Sequence, residues 1–246
     1  LTWRLIPALD ASGPLQMAID RWLFAQCCRG LMPPTLRFYT WKPAAISLGR
    51  NQRHWPNHWQ QLTWQGQPVD LVRRPTGGRA VLHGGDLCYA IALSPSSNNR
   101  RQAYESLCQF LIQGWQALGI ALQFGNACRS DIHNPNCFGT ATKADLVLSN
   151  GYKLIGSAQV WQGNALLQHG SIRLQPHQSL AKQVFGVEYC AEAEELPFIA
   201  QLPEEVIIAH LIQAAQSCFA TEIDLRPLCP QEWREVQAFA DLQTIC

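Results

Sequence analysis

Three stretches carry the residue types from which an enzyme builds a reaction centre. The run Arg73-Arg74-Pro75-Thr76-Gly77-Gly78-Arg79-Ala80-Val81-Leu82-His83 sets paired glycines among three arginines, between two strand-like segments. Glycines let a backbone approach a ligand closely and turn N–H groups toward an anion or carbonyl. Adjoining arginines can hold a phosphate or carboxylate. The same run also reads as a strand-to-strand turn with exposed arginines. Neither GxxxxGK[ST] nor GxGxxG occurs in it. The second stretch, Tyr152-Lys153-Leu154-Ile155-Gly156-Ser157-Ala158-Gln159, puts a lysine on an apolar strand ahead of three small residues. Alternation places Lys153 and Ile155 on one face and Leu154 on the other, which aims Lys153 into a pocket whose small residues leave room for a ligand chain. A solvated lysine at the start of a hairpin is the competing reading. The third is Asn136-Cys137-Phe138 in a polar loop, where a thiolate is a potential nucleophile and a buried thiol is mere packing. His83 and His169 are candidates to orient a substrate or act as bases, or else hydrogen-bonded structural histidines.

These residues need a frame, and the pattern supplies one. Ser12 before Gly13-Pro14 signals a helix whose apolar face is Leu15, Ala18, Ile19, Trp22, Leu23 and Ala25, closed by Gly30. TLRFYTW is a strand and AAISLG its expected hairpin partner, ending in the loop Gly49-Arg50-Asn51-Gln52. DLVRR and AVLHGGDLCYAIAL follow as strands, and a helix is expected over 100–118. ADLVLS, Asn150-Gly151 and YKLIGSAQVWQ form the clearest hairpin, with Asn-Gly suiting a type I′ turn. ALLQHGSIRL is a further strand, followed by a helix over 203–220, a short strand IDLRP and a last helix over 231–244. The expected class is α+β: a mixed, largely antiparallel sheet packed with helices, in one domain spanning 1–246.

Several motifs in register resemble one known family. R-R-x-T-G-G-x-A-V-x-H, then K-x-x-G-S-A-Q, then Gln168-His169-Gly170-Ser171 resemble the catalytic domain of lipoate-protein ligases and octanoyltransferases, related to biotin protein ligases. Gln16-Met17-Ala18-Ile19-Asp20 resembles that family's first helix. Residues 36–41 with Ser47-Leu48-Gly49-Arg50-Asn51-Gln52 resemble its first hairpin, so the likeness runs over about residues 10–175. The resemblance implies acyl transfer to a lysine of a lipoyl carrier domain, such as those of 2-oxoacid dehydrogenases or the glycine-cleavage H protein. It implies that Thr76, Gly77, Gly78, Gly156, Ser157 and Ala158 line an acyl tunnel and that Lys153 contacts the activated carbonyl; Arg73, Arg74, His83 and His169 are expected at the substrate from their own chemistry. It also implies that Cys137, in its Cys-Phe loop, is the acyl-enzyme cysteine of the ligase-like octanoyltransferases. A lysine ammonium near such a thiol lowers its pKa and polarises the thioester carbonyl, while a dry tunnel guards against hydrolysis.

Two chemistries fit the superfamily. Transfer from octanoyl-acyl carrier protein needs no cofactor, whereas an ATP-dependent lipoate ligase needs ATP and Mg²⁺. After Phe138 the usual small residue, proline and serine are replaced by Gly139-Thr140-Ala141, and Ala144-Asp145 stands where ligases carry Asn-Asp. Both differences bear on the choice, and the second favours the transferase. A non-catalytic module that recognises carrier domains or acyl groups is the alternative outside enzymology.

Composition narrows the classes further. The chain has 246 residues, 47% hydrophobic and 15% charged, with 19 basic against 18 acidic residues, which supports a core and argues against a nucleic-acid partner. Ten cysteines, at 27, 28, 88, 108, 128, 137, 190, 218, 229 and 246, include no CxxC and no metal-ligand spacing, so free thiols and no metal site are expected. With no signal-peptide pattern and no run of ~20 apolar residues, a cytoplasmic protein without membrane contact is the expectation.

Overall fold

The computed structural model describes residues 2–97, 99–125, 142, 144–186 and 196–240. In chain order its elements are β1 (Trp3–Ala11), α1 (Gly13–Cys28), β2 (Thr35–Trp41), β3 (Ala45–Leu48), β4 (Thr63–Trp64), β5 (Gln67–Pro68), β6 (Asp70–Arg73), β7 (Val81–His83) and β8 (Asp86–Leu93). Then come α2 (Arg100–Ala117), β9 (Gln123–Phe124), β10 (Leu146–Val147), β11 (Lys153–Gln162), β12 (Ala165–Arg173), α3 (Gln178–Phe185), α4 (Leu196–Ile199), α5 (Glu204–Phe219), β13 (Ile223–Leu225) and α6 (Pro230–Ala240). A large mixed sheet runs β13-β1-β2-β8-β12-β11-β10-β9, and a small one runs β6-β3-β7. The class is the expected α+β.

Strand alternation in the large sheet divides two cores. Leu36 and Phe38 of β2 with Leu87, Tyr89, Ile91 and Leu93 of β8 face α2 and α5. Tyr39 and Trp41 of β2 with Cys88, Ala90 and Ala92 of β8 face α1 and α6. A sheet covered on both faces has to be apolar on both, and β8 is buried at every residue. A third cluster packs α3 on the small sheet through Leu180, Ala181 and Val184. No helix among the described residues is long and apolar enough to cross a membrane.

Four local expectations change. First, β2 and β3 do not form a hairpin: β2 pairs with β1 in parallel and with β8 antiparallel. β3 crosses to the small sheet, between β6 and β7. Period-2 pattern marks a strand but not its partner, and both edges of β2 are taken. β1 itself, with proline at position 7 and a register shift between Ile6 and Leu9, shows no clean alternation and was not anticipated. Second, AVLHGGDLCYAIAL is two strands, broken at Gly84-Gly85, so that β7 joins the small sheet and β8 the large one. Third, Ser12 makes no side-chain cap on α1; the Gly13 N–H instead donates to Asp70 Oδ2 of β6 at 2.7 Å. A carboxylate from a distant strand caps the helix and ties α1 to the small sheet.

The fourth change reaches the reaction centre. Gly151 has φ +85°, while Asn150 is not among the residues with positive φ, and the Gly151 N–H donates to the Leu148 carbonyl at 2.9 Å. That is a tight turn closed by a left-handed glycine rather than type I′. Beyond it, Leu146 faces Ile155 but Val147 faces Lys153, so β11 carries one extra residue. The bulge breaks alternation there: Ile155 packs into the first core, while Lys153 lines a cavity together with Gly156 and Ala158.

Candidate active site

A cavity of about 340 Å³ lies between the two sheets. The large sheet contributes Lys153, Gly156, Ser157, Ala158, His169 and Ser171 to its lining; the small sheet and its turn contribute Ser47, Arg74, Gly77, Gly78, Arg79 and His83. Met17 of α1 with Tyr39 and Trp41 of β2 adds an apolar portion. Successive strands lie ~4.8 Å apart, so three intervals separate β11, which carries Lys153, from β2. The cavity therefore extends across the strands, with an ammonium toward one end and aromatic side chains toward the other.

Lys153 is buried, and its Nζ lies 3.0 Å from Asp145 Oδ1. Asp145 is fixed in turn, since the Thr142 N–H and hydroxyl both donate to Oδ2, at 2.6 and 2.9 Å. Two buried charges cost much desolvation unless paired and hydrogen-bonded, and this pair is both. The consequence is a lysine held as a fixed cation at the cavity wall. Ser157 is anchored beside it, its hydroxyl 2.8 Å from the Tyr89 hydroxyl, which also accepts from Gln168 Nε2 at 2.8 Å.

Both histidines sit in hydroxyl–imidazole–carboxylate chains. His83 Nδ1 is 2.7 Å from Asp86 Oδ2, and its Nε2 is 2.8 Å from Ser47 Oγ. The Ser171 hydroxyl donates to the same Asp86 oxygen at 2.6 Å, and the His83 ring stacks on Trp41 with centroids 4.0 Å apart. Burial alone would raise the Asp86 carboxyl; the charge of His83 and hydrogen bonds from His83, Ser171 and Gly84 outweigh it and hold the carboxyl below its ordinary range. His169 repeats the arrangement, with Nε2 2.6 Å from Thr76 Oγ1 and Nδ1 2.8 Å from Asp20 Oδ2. Asp20 is fully buried and also meets Arg37 Nη1 at 3.3 Å and the Tyr39 hydroxyl at 3.1 Å. Each imidazole is fixed at both nitrogens. Such rings orient a site, and any proton they move passes through Ser47 or Thr76.

Cys88 borders the same cavity beside His83 and Asp86, and the three offer a nitrogen, an oxygen and a sulfur close enough to hold a metal ion. Hydrogen bonding already joins them, for the Cys88 thiol donates to Asp86 Oδ2 at 3.3 Å and accepts from Trp41 Nε1 at 3.1 Å. Burial first, then the Asp86 charge, pushes that thiol well above its ordinary value. A thiol so placed stays protonated and is a poor nucleophile.

The arginines of the glycine turn serve the backbone. Arg74 donates to the carbonyls of Ser47, Gly77 and Arg79, at 2.7 Å for Ser47 and Arg79 and 2.8 Å for Gly77. Arg73 Nη1 donates to the carbonyls of Gly49 at 2.9 Å and Gln52 at 2.6 Å. The Arg50 N–H closes the contact on the Thr76 carbonyl at 2.8 Å. The turn and the 49–52 loop thus fit so tightly that a Cβ at Gly49 would fall 1.8 Å from the Gly78 carbonyl oxygen. Arg73 and Arg74 thus support the turn, which leaves Gly77 and Gly78 exposed at the cavity, and Arg74 also lines it.

Of the residues singled out in the sequence, Lys153, Arg74, Gly77, Gly78, His83, Gly156, Ser157, Ala158 and His169 line one cavity. Thr76 stands behind His169, and Arg73 stands behind the turn. Cys137 lies outside the described residues. Sequence reasoning missed Asp145, Asp20, Ser47 and Tyr39. Asp86 alone had a local signal, three positions after His83.

The sequence and the fold both have counterparts among known proteins. Residues 13–207 match the family described as the lipoyl protein ligase A/B catalytic domain. Octanoyltransferase LipM of Lysinibacillus sphaericus is 30% identical over 272 aligned positions that cover 100% of this chain and 97% of the relative. Octanoyltransferase LipM of Bacillus subtilis is 33% identical, covering 70% of this chain and 66% of the relative. Among solved structures, lipoate-protein ligase A bound with ATP superposes with a TM-score of 0.81 at 19% identity, over 98% of this chain and 95% of the other. A T. acidophilum protein with bound lipoic acid also gives 0.81, at 17% identity, over 98% and 96%. Likeness at those identities shows the fold.

Proposed function

The chain belongs to the lipoyl protein ligase A/B catalytic-domain family, and from that premise we propose that it transfers an octanoyl group from acyl carrier protein to a lysine of a lipoyl carrier domain, through a thioester on Cys137. The observation that carries this reading is the buried Lys153 ammonium, fixed by Asp145 at the wall of a largely apolar cavity. Similarity to octanoyltransferases over the full chain supports the acyl group chosen. Acceptors of the right chemistry are lipoyl domains of 2-oxoacid dehydrogenases and the glycine-cleavage H protein. The chain acts as one catalytic unit over 1–246, and its free cysteines suit a reducing cytoplasm.

The cavity explains the donor. Each methylene buried from water contributes about 0.8 kcal/mol, so an eight-carbon chain supplies on the order of 5 kcal/mol of positioning energy. With the chain seated, the Cys137 thiolate attacks the thioester carbonyl, the bond to the donor's sulfur breaks, and that sulfur leaves as a thiol after taking a proton. The acceptor lysine, as free amine, then attacks the Cys137 thioester; an amide forms, and the thiolate of Cys137 is regenerated as the nitrogen's proton is released. Lys153 faces the negative oxygen that develops in both steps. Cys137 stands five positions before Thr142, which borders the cavity and holds Asp145. Cys88 borders the cavity too, but its raised pKa unfits it for attack. The donor thioester already stores the activation, so ATP and Mg²⁺ are not required.

The test is direct. Purified protein mixed with octanoyl-acyl carrier protein, without an acceptor, gains one octanoyl group by intact mass, and hydroxylamine removes it. Cys137→Ala abolishes the adduct, whereas Cys88→Ala keeps it. An adduct on another cysteine, or lipoylation by the Cys137→Ala protein given free lipoate and ATP, overturns this mechanism in favour of the adenylating ligase.

A further inference from the structure

The chain is nearly neutral, yet its charge is unevenly placed. Residues 42–85, which build the small sheet and its loops, contain Lys42, Arg50, Arg53, Arg73, Arg74 and Arg79 against Asp70 alone. The excess there is five positive charges, in a chain whose total excess is one, so the remainder is acidic by four. Asp70 is engaged by the N-terminus of α1.

Part of this charge gathers where the cavity opens. The 49–52 loop is stitched to the glycine turn by Arg73 and by the Arg50 N–H, and Gly77 and Gly78 are exposed beside it. Arg21, from the face of α1 turned toward the same loop, donates through Nη2 to the Arg73 carbonyl at 2.7 Å. Its Nε–H is buried with no partner. Burial, and then the charges of Arg50 and Arg73, press the Arg21 pKa below its ordinary value against a smaller opposing pull from Asp20, so the three guanidiniums lie close enough to repel. Among the described residues no carboxylate lies within ion-pair range of Arg21, Arg50 or Arg73. Arg50 and Arg53 are exposed. Unbalanced like charge costs stability and raises the rate at which oppositely charged partners arrive.

We propose that an arginine rim beside the exposed Gly77-Gly78 turn, formed by Arg21, Arg50 and Arg73 with Arg53 next along the chain from the 49–52 loop, docks the acyl donor as a carrier protein with an acidic surface. This rests on the octanoyl-transfer reading above. The donor fits better than the acceptor for an electrostatic reason. An acyl thioester on a carrier protein hangs from a phosphodiester-linked arm, so negative charge necessarily accompanies it to the mouth. The acceptor presents a lysine, whose ammonium the same rim repels.

The experiment compares wild type with Arg50→Glu/Arg53→Glu in thioester formation on the enzyme. Three octanoyl donors are used: the carrier protein, phosphopantetheine and uncharged pantetheine. A separate single-turnover assay follows transfer from preloaded octanoyl-enzyme to a lipoyl domain. Expected is a fall of about tenfold or more in kcat/KM for the carrier-protein donor at low ionic strength, a wild-type rate that declines with salt, and a variant rate that does not. Octanoyl-pantetheine and the preloaded transfer stay unchanged. An equal loss with octanoyl-phosphopantetheine would make the rim a phosphate site rather than a protein-docking face, and an equal loss with octanoyl-pantetheine would make it part of the acyl site. A loss confined to the preloaded transfer would assign the rim to the acceptor. Unchanged kinetics with every donor would also overturn the proposal. If wild type forms no octanoyl-enzyme with any donor, the transfer reading itself has failed, which is a distinct result.

Discussion

The two walls of the cavity handle positive charge in opposite ways. On the large-sheet side Lys153 at the wall meets the buried Asp145, and Arg37 behind it meets Asp20, which also holds His169. On the small-sheet wall Arg73 and Arg74 donate to backbone carbonyls, and Arg73 adds its charge to the rim. A carbonyl satisfies the guanidinium's N–H groups without cancelling its charge. Local balance fixes a side chain and confines its field to the cavity, which suits a group that must meet a developing oxyanion. Local imbalance projects a field over about a Debye length, which suits recognition. The proposed chemistry draws on the first arrangement and the proposed docking on the second.

The strongest way to break that comparison is at Lys153. Lys153→Ala should lower the rate of acyl transfer by ~10²–10³. It also strands Asp145, a loss of about 3–5 kcal/mol for a buried ion pair deprived of one partner. Lys153→Met combined with Asp145→Asn neutralises both and should recover most of the melting temperature without recovering transfer. Recovery of both together would reduce the pair to a structural role.

Next comes the fit of the turn. Gly49→Ala drives a methyl into the Gly78 carbonyl, and a ~1 Å displacement of a positioning element can cost ~10²-fold in rate. Gly77→Ala meets nothing within 4 Å and should leave folding and rate near wild type. Gly77→Leu should instead raise KM for the acyl donor with little change in melting temperature. Equal behaviour of Gly49→Ala and Gly77→Ala in single-turnover kinetics would mean that the turn's position is unimportant.

The smallest effect concerns Asp86, where the two sheets meet. Its folded pKa is depressed, so the stability it contributes is complete above its unfolded value of ~3.9 and is lost as pH falls through the lower folded value. Asp86→Asn should lose about 1–3 kcal/mol near neutral pH and show a shallower fall of melting temperature below about pH 4. Parallel curves for variant and wild type would place the acid sensitivity elsewhere.

The residues that line the cavity from its turn and from β11 were legible in the sequence because they belong to short local patterns. The Thr76-Gly77-Gly78 turn and the Lys153 strand each declare themselves within about ten residues, and their resemblance to a family joined them before any coordinates did. Composition and periodicity determined the class and most of the strands and helices, since burial on one face imposes a period that local sequence must obey. What only the tertiary structure decided is which carboxylate serves which cation. Asp20 stands 149 residues from His169 and pairs with it only because α1 lies against β12. Asp145 meets Lys153 through a bulge that no alternating pattern announces, and β3 left its expected hairpin because both edges of β2 were already taken. Periodicity reports which face of an element is buried; the partner across that face is set by packing, where distance along the chain carries no information.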